Sequence, residues 1–298
     1  MTSSQTAKSF GDKWNEPRSR MIGVTESDRK TLTIQFLATL GCDSMGDAKQ
    51  LFSRAKKTLN AGCGVAWSEY LYEWDNPLLE RHCIDMSKSV EVARDNTDHL
   101  ADVIVIQGDI LNLPYKDETF DIVYSNGVVH HTPDARRAVL ELGKKVVEGG
   151  LLGIYIYCIK PFIREVCDKE IRKHTTKMSY EEAMKFSHSI SLLGKSLNDL
   201  NQKIYIEENI ELLGIKAGEY NLQQFIYDHF VKCWYNSDQG MQYSDLVNVD
   251  WYHPYYASHH TKEEVLAWFK EAGFHQLKCK QPTGFEHSGY FISGRKNV

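Results

Sequence analysis

The stretch KTLNAGCGVAWSEY, Lys57 to Tyr70, decides how this chain is read. A short apolar strand, KTLNA, runs into a turn with glycines at 62 and 64, and a helix-forming segment follows. Glycine at a strand-to-helix turn lets the backbone approach a ligand with no Cβ in the way. Alone, such a turn reads equally well as a ligand site or a structural bend.

Its surroundings tip the balance. Asp85 ends the next strand, in CIDMS, where an acid can accept from both hydroxyls of a ribose. Asp109 follows the strand DVIVIQ, in QGDILNLP. Its carboxylate, with the Ile110 N–H, can bind the edge of an adenine. Standing alone it reads as well as an N-cap or turn acid. All three features lie at the C-terminal ends of consecutive strands, where parallel sheets bind ligands, and together they point to an adenosine-containing cofactor. No GxxxxGK[ST] run is present, so a P-loop is excluded. Trp67 stands where a dinucleotide fold prefers a third glycine, which argues against a pyrophosphate cradle.

Working outward, HCID, DVIVIQ, FDIVYS and LLGIYIY read as strands, and Asp134 to Val147 reads as a helix. This is βαβ rhythm, which predicts an α/β fold with a mostly parallel sheet covered by helices. From Lys160 to about Leu246 the rhythm is lost. EVCDKEIRKH, SYEEAMKFSHSISLLGKSL and NLQQFIYDHFVKCWY read as helices of an inserted cap, because the segment is too long for an ordinary crossover. TKEEVLAWFKEAGF then reads as a helix capped by Thr261, with Glu264 at its third position and Gly273 as its stop. FHQLKCK and YFISG form the last strands, expected as an antiparallel pair. The expected organisation is an N-terminal helical lid over 1–55, a core of 56–159 with 247–298, and a helical cap over 160–246.

The 298 residues are 42% hydrophobic and 25% charged, a globular composition. No apolar run approaches the roughly eighteen residues of a membrane span, and the N-terminus does not read as a signal peptide. Seven scattered cysteines without a CxxC pair predict reduced thiols and a cytoplasmic location. The net charge is −5, and the one dense basic run, Lys169 to Lys177, reads as a solvated helix face. No nucleic-acid partner is expected.

From about Thr58 to Tyr157 the chain resembles class I S-adenosylmethionine-dependent methyltransferases, in the UbiE-like, type 11 small-molecule group. LNAGCG matches the glycine motif, CIDMS the ribose acid, and QGDILNLPYKDETFDIVYSNGVVHHTPD the adenine strand and the strand after it. VEGGLLGIYIY matches the turn and fifth strand. The resemblance implies a Rossmann-like, seven-stranded sheet and S-adenosyl-L-methionine as cofactor. It implies that Asn60, Ala61, Gly62, Cys63 and Gly64 hold the methionine part, Asp85 the ribose, Met86 the adenine face, Asp109 and Ile110 the adenine edge. Asn126 and Gly127 would border the reaction site. Asn60 departs from the family, which usually has an acid there, and Trp67 either walls the methionine side or packs the helix.

Methyl transfer asks the protein mainly to align a nucleophile, with a base only where the acceptor holds its proton. No metal is expected, because the adjacent His130 and His131 point apart. His130, His131 and His253 are the candidate catalytic residues. Candidate acceptor contacts are Trp14 and Arg18 at the front, Tyr227 and Trp234 in the cap, and Tyr252 and Tyr256 in DWYHPYYASHH. The reading is methyl transfer to an O, N or C atom of a small molecule. Asn60 keeps open a protein that binds the cofactor without transferring methyl. A nucleic-acid or protein methyltransferase is less well supported, since SNGVV stands where a Pro-Pro-Tyr run would mark a base-modifying enzyme. TLTIQFLATL either pairs with a second copy in a homodimer or folds onto its own core.

Overall fold

A computed structural model describes residues 2–20, 22–282 and 287–297. Four helices come first: α1 (Thr2–Asn15), α2 (Pro17–Arg20), α3 (Glu26–Leu40) and α4 (Met45–Phe52). The core alternates β1 (Lys57–Ala61), α5 (Trp67–Leu71), β2 (Glu80–Asp85), α6 (Ser89–Thr97), β3 (Val103–Gln107), β4 (Phe120–Asn126), α7 (Ala135–Lys144) and β5 (Val146–Tyr157). Then follow α8 (Phe162–Thr175), α9 (Tyr180–Asp199), β6 (Lys203–Ile206), β7 (Gly218–Asn221), α10 (Leu222–His229) and α11 (Gly240–Tyr252). The chain returns through α12 (Lys262–Glu271), β8 (Phe274–Lys280) and β9 (Gly289–Lys296).

The sheet has seven strands in the order β3-β2-β1-β4-β5-β9-β8. The first five run parallel, and β9 is antiparallel to both of its neighbours. Strand order reverses between β1 and β4, which opens a crevice at their C-terminal ends. The expected α/β architecture, with its antiparallel last pair, is therefore present.

Alternation along the strands splits the core between the two faces. Leu59, Ile84, Val123, Leu152 and Ile154 pack with Ala138, Val139 and Leu142 of α7 and with Val265 and Phe269 of α12. Ile122, Tyr124 and Leu151 face the other way, against Phe36 and Leu40 of α3 and Phe52 of α4. Local chemistry sets the helix ends. The Asp134 side chain accepts from the Arg137 N–H at the start of α7, and Thr261 with Glu264 forms a capping box on α12.

Three features refine the sequence expectation. The segment 160–246, expected to be mostly helical, also carries β6 and β7, which pair as an antiparallel hairpin. The helix read through NLQQFIYDHFVKCWY stops at His229, so Lys232, Trp234 and Tyr235 lie on the loop beyond α10. TLTIQFLATL lies in α3, which buries Leu32, Phe36 and Leu40 and packs along β4, β5 and β9 of its own sheet. That face is therefore not available to a second copy. Among the described residues, no helix is long and apolar enough to cross a membrane.

Phe36 is 1% exposed and stacks on Tyr72 with ring centroids 4.9 Å apart. Phe36→Ala should lower the unfolding free energy by about 3–5 kcal/mol in urea titration. A loss below about 1 kcal/mol would mean that α3 is not part of the core.

Candidate active site

The tips of β1, β2, β3 and β4 open into one cavity of about 600 Å³, a size that suits small-molecule ligands. Gly62 and Gly64 form its floor with Cys63. Both glycines have positive φ, 81° and 56°. A Cβ on Gly62 would lie 2.3 Å from a Val128 methyl carbon, and one on Gly64 would lie 3.0 Å from the Trp14 ring. Glycine is required here by backbone conformation and by space together. The Asp85 Oδ2 accepts the Gly64 N–H at 2.9 Å, while Oδ1 accepts the Ser87 N–H and hydroxyl. Asp85 and Met86 line the cavity beside Asp109 and Ile110. The Asp109 Oδ1 accepts the Leu111 N–H, which orients the carboxylate.

Asn126 and Gly127 line the cavity at the tip of β4. The Asn126 Nδ2 is buried and has no hydrogen-bond partner among the described residues. An amide donor left unpaired at a cavity wall is costly unless a ligand accepts from it. Trp67 lines the cavity and also sits edge-on to Phe36, so it walls and packs at once.

Asn60 and Ala61 do not line the cavity. Ala61 is buried in the apolar core. The Asn60 Nδ2 donates to Ser68 Oγ and Glu69 Oε2, both at 3.1 Å. The Glu69 carboxylate also accepts the hydroxyls of Ser68 and Tyr124. A carboxylate at position 60 would face Glu69 as a like charge, whereas the amide supplies a donor. The absence of the usual acid at 60 thus has a local cause.

The histidines separate sharply. His131 lines the cavity, and its Nδ1 lies 2.7 Å from the Tyr256 carbonyl. A carbonyl only accepts, so Nδ1 carries the proton and Nε2 offers a lone pair. That Nε2 is buried and has no hydrogen-bond partner among the described residues. Burial pulls the His131 pKa down to about 4, with the Asp250 charge opposing. His130 does not line the cavity: its ring stacks on Tyr157 at 3.6 Å, and its Nδ1 faces the Tyr157 N–H at 3.4 Å. Burial holds its pKa well below the ordinary value. His253 also lies outside, with Nδ1 on Ser9 Oγ at 2.8 Å and Nε2 on the Met178 carbonyl at 3.1 Å. Both its nitrogens are occupied, so it anchors α1 and the loop before α9 and has no lone pair for a substrate.

The structure brings four of the six expected acceptor contacts to the cavity: Trp14, Tyr227, Trp234 and Tyr256. Arg18 lies behind the wall, paired to Asp28 at 2.8 Å and set over the Tyr243 ring. Tyr252 is 1% exposed and donates to the Lys232 carbonyl, so it packs the cap.

Several lining residues went unread in the sequence. Lys13 bridges the half-buried Asp250 at 2.9 Å. Burial raises the Asp250 pKa, but Lys13, His131 and Lys232 outweigh it and hold the carboxyl below its ordinary range. Lys160, Arg164, Lys232 and Trp251 form another wall. Only Lys160 carried a usable signal, its place just past the C-terminal end of β5.

Residues 59–154 match a family model described as a methyltransferase domain. The chain is 30% identical over 98 residues to a demethylmenaquinone methyltransferase of Staphylococcus haemolyticus, covering 32% of this chain and 41% of that protein. It is 40% identical over 102 residues to a probable tRNA methyltransferase 9B of Bos taurus, covering 33% and 21%. The matched part thus spans less than half the length of either relative. Among solved structures, N-methyltransferase NodS from Bradyrhizobium japonicum, in complex with S-adenosyl-l-homocysteine, aligns with a TM-score of 0.49 at 13% identity, covering 99% and 100%.

His131 should stay neutral, with its proton on Nδ1, from pH 8 to about pH 5 in ¹⁵N-edited NMR spectra. The unfolded ring takes its proton near 6.5 and the folded ring only near 4. Stability should therefore fall as pH drops from 6.5 toward 4 and be insensitive to this group above 6.5. Titration of His131 near 6.5 in the folded protein would show a solvated ring instead.

Proposed function

We propose that this chain, whose residues 59–154 carry a type 11 methyltransferase domain, uses S-adenosyl-L-methionine to methylate a small molecule held beneath its cap. One observation carries the reading. The glycine turn, Asp85, Asp109 and Asn126 come from four successive parallel strand tips and line a single cavity that continues under residues 160–246. In this reading residues 1–55 are the lid, 56–159 with 247–298 the core, and 160–246 the acceptor-binding cap.

The residues fit the cofactor. Glycine backbone at 62 and 64 admits close approach, with Cys63 between them and Trp67 beside them. The Asp109 carboxylate engages only Oδ1 among the described residues and can take an amino donor, while Asp85, whose oxygens already accept three protein donors, has about one acceptor position left for a hydroxyl, with Met86 and Ile110 as apolar faces. The unpaired Asn126 amide supplies a donor next to Gly127. S-adenosyl-L-methionine brings an activated methyl group, so alignment is the protein's main task. Trp14, Tyr227, Trp234 and Tyr256 would hold the acceptor and exclude water. His131 Nε2 would take the acceptor's proton where it has one to lose, with the Tyr256 carbonyl fixing the tautomer. His130 and His253 would support that site through packing.

The matched relatives are named for demethylmenaquinone and for tRNA, so they leave the acceptor open. A small acceptor is favoured by the cavity of about 600 Å³ and by the net charge of −5, which suits a polyanion poorly.

Calorimetric titration of S-adenosyl-L-methionine and S-adenosylhomocysteine should give micromolar affinity for both. Asp85→Ala or Asp109→Ala should weaken it by about 10- to 100-fold, with far-UV circular dichroism confirming a folded variant. No saturable binding to the native protein would sink this reading.

A further inference from the structure

Three cationic side chains gather around one indole in the cap wall. The Lys160 Nζ, Arg164 Cζ and Lys232 Nζ lie 5.2, 5.3 and 4.6 Å from the Trp251 ring centroid. Their residues are only 6%, 2% and 6% exposed, and all three line the cavity.

Their partners set them apart. Lys160 is satisfied: it donates to the His287 and Ser288 carbonyls and to Cys158 Sγ. Arg164 directs Nε to Asp168 and Nη1 to the Tyr227 carbonyl. Its Nη2 has no acceptor among the described residues. Lys232 Nζ has neither a hydrogen bond nor an ion pair among them.

The nearby acids are engaged elsewhere. Asp168 accepts from Arg164, from Trp251 Nε1 at 2.9 Å and from the Tyr252 hydroxyl. Asp250 is bridged by Lys13, and Asp228 accepts from Gln224 through Oδ2, while its buried Oδ1, on the same cavity lining, has no partner among the described residues and makes no ion pair with Lys232 or Arg164 among them. Burial, with Arg164 and Lys160 adding repulsion that Asp250 and Asp168 offset only in part, pulls the Lys232 pKa down to about 7. A buried ammonium without an acceptor destabilises a fold, and a methionine would fill the same space without that penalty.

We propose that Lys232 and the open Nη2 edge of Arg164 bind an anionic group of the methyl acceptor, a carboxylate or a phosphate ester, against the Trp251 indole. This rests on the reading that the cavity takes a methyl acceptor. An arriving anion supplies the missing acceptors through charge-assisted hydrogen bonds. It would thereby select acid-bearing acceptors over neutral ones of the same shape.

The test titrates phenyl phosphate, benzoate and neutral benzyl alcohol into the wild type and Lys232→Met, with and without saturating S-adenosylhomocysteine. At least one anion should bind the wild type about 10-fold or more tightly than benzyl alcohol. Lys232→Met should remove about 10-fold of that preference and leave S-adenosylhomocysteine affinity within about twofold. The order of phenyl phosphate and benzoate identifies the anion. Equal or absent binding of the three probes, or a preference that survives Lys232→Met, overturns the proposal. Anion binding without S-adenosylhomocysteine binding would instead overturn the methyltransferase reading and leave the anion site standing.

Stability provides a second readout. Lys232→Met should raise the melting temperature at pH 7. The gain should shrink as pH rises toward the ordinary lysine value of 10.5, because the folded amine is already neutral while the unfolded one still binds its proton. A variant that melts lower than the wild type would assign Lys232 to packing and overturn the proposal.

Discussion

Asp85 accepts the Gly64 N–H with one oxygen and the Ser87 N–H and hydroxyl with the other, and this clasp joins the tips of β1 and β2. The turn from Gly62 to Gly64 takes its shape from that clasp and from two backbone conformations that side chains rarely adopt. Val128 presses on Gly62 and Trp14 on Gly64, so the loop after β4 and helix α1 are both seated on glycine. Trp14 then places Lys13 against Asp250, and Ser9 of the same helix holds His253. The walls of the cavity thus follow outward from one carboxylate at a strand tip.

The cap is held by charges that have left water. Arg172 donates to the carbonyls of Trp251, Pro254 and Tyr255, and Asp168 gathers Arg164, Trp251 and Tyr252. Desolvating such groups is tolerable only where hydrogen bonds satisfy them. Arg172, Asp168 and Lys160 meet that condition, so they read as architecture. The Asn126 amide and the His131 Nε2 are buried without a partner, Lys232 Nζ has no acceptor among the described residues, and all three belong to cavity-lining residues. Lack of a partner does not by itself mark the site, since His130 Nε2 and Ser187 Oγ are also buried without one and neither residue lines the cavity; it points to a ligand only where it coincides with the cavity wall.

The Asn60 departure illustrates the same logic. By resemblance alone it raised doubt about cofactor binding. In the structure Asn60 turns away from the cavity and donates to Glu69, in a cluster with Ser68 and Tyr124. The residue that explains position 60 lies nine places along the chain, on a different element, and no spacing rule would have paired them.

From the sequence alone came the strand-and-helix rhythm, the glycine turn, Asp85, Asp109, Asn126 and the capped last helix. These are local: hydrophobic periodicity, glycine conformation and capping act over a few residues, and strand tips are named by chain order. The tertiary structure decided what depends on distant partners. It showed that His131 faces the cavity while His130 and His253 do not, that Tyr252 packs while Tyr256 lines, and that α3 covers its own sheet. It also brought Lys160, Arg164 and Lys232, separated by up to 72 residues, around one indole. A side chain's function there is set by burial and by which acceptors it lacks, and both belong to the folded chain rather than to any window of sequence.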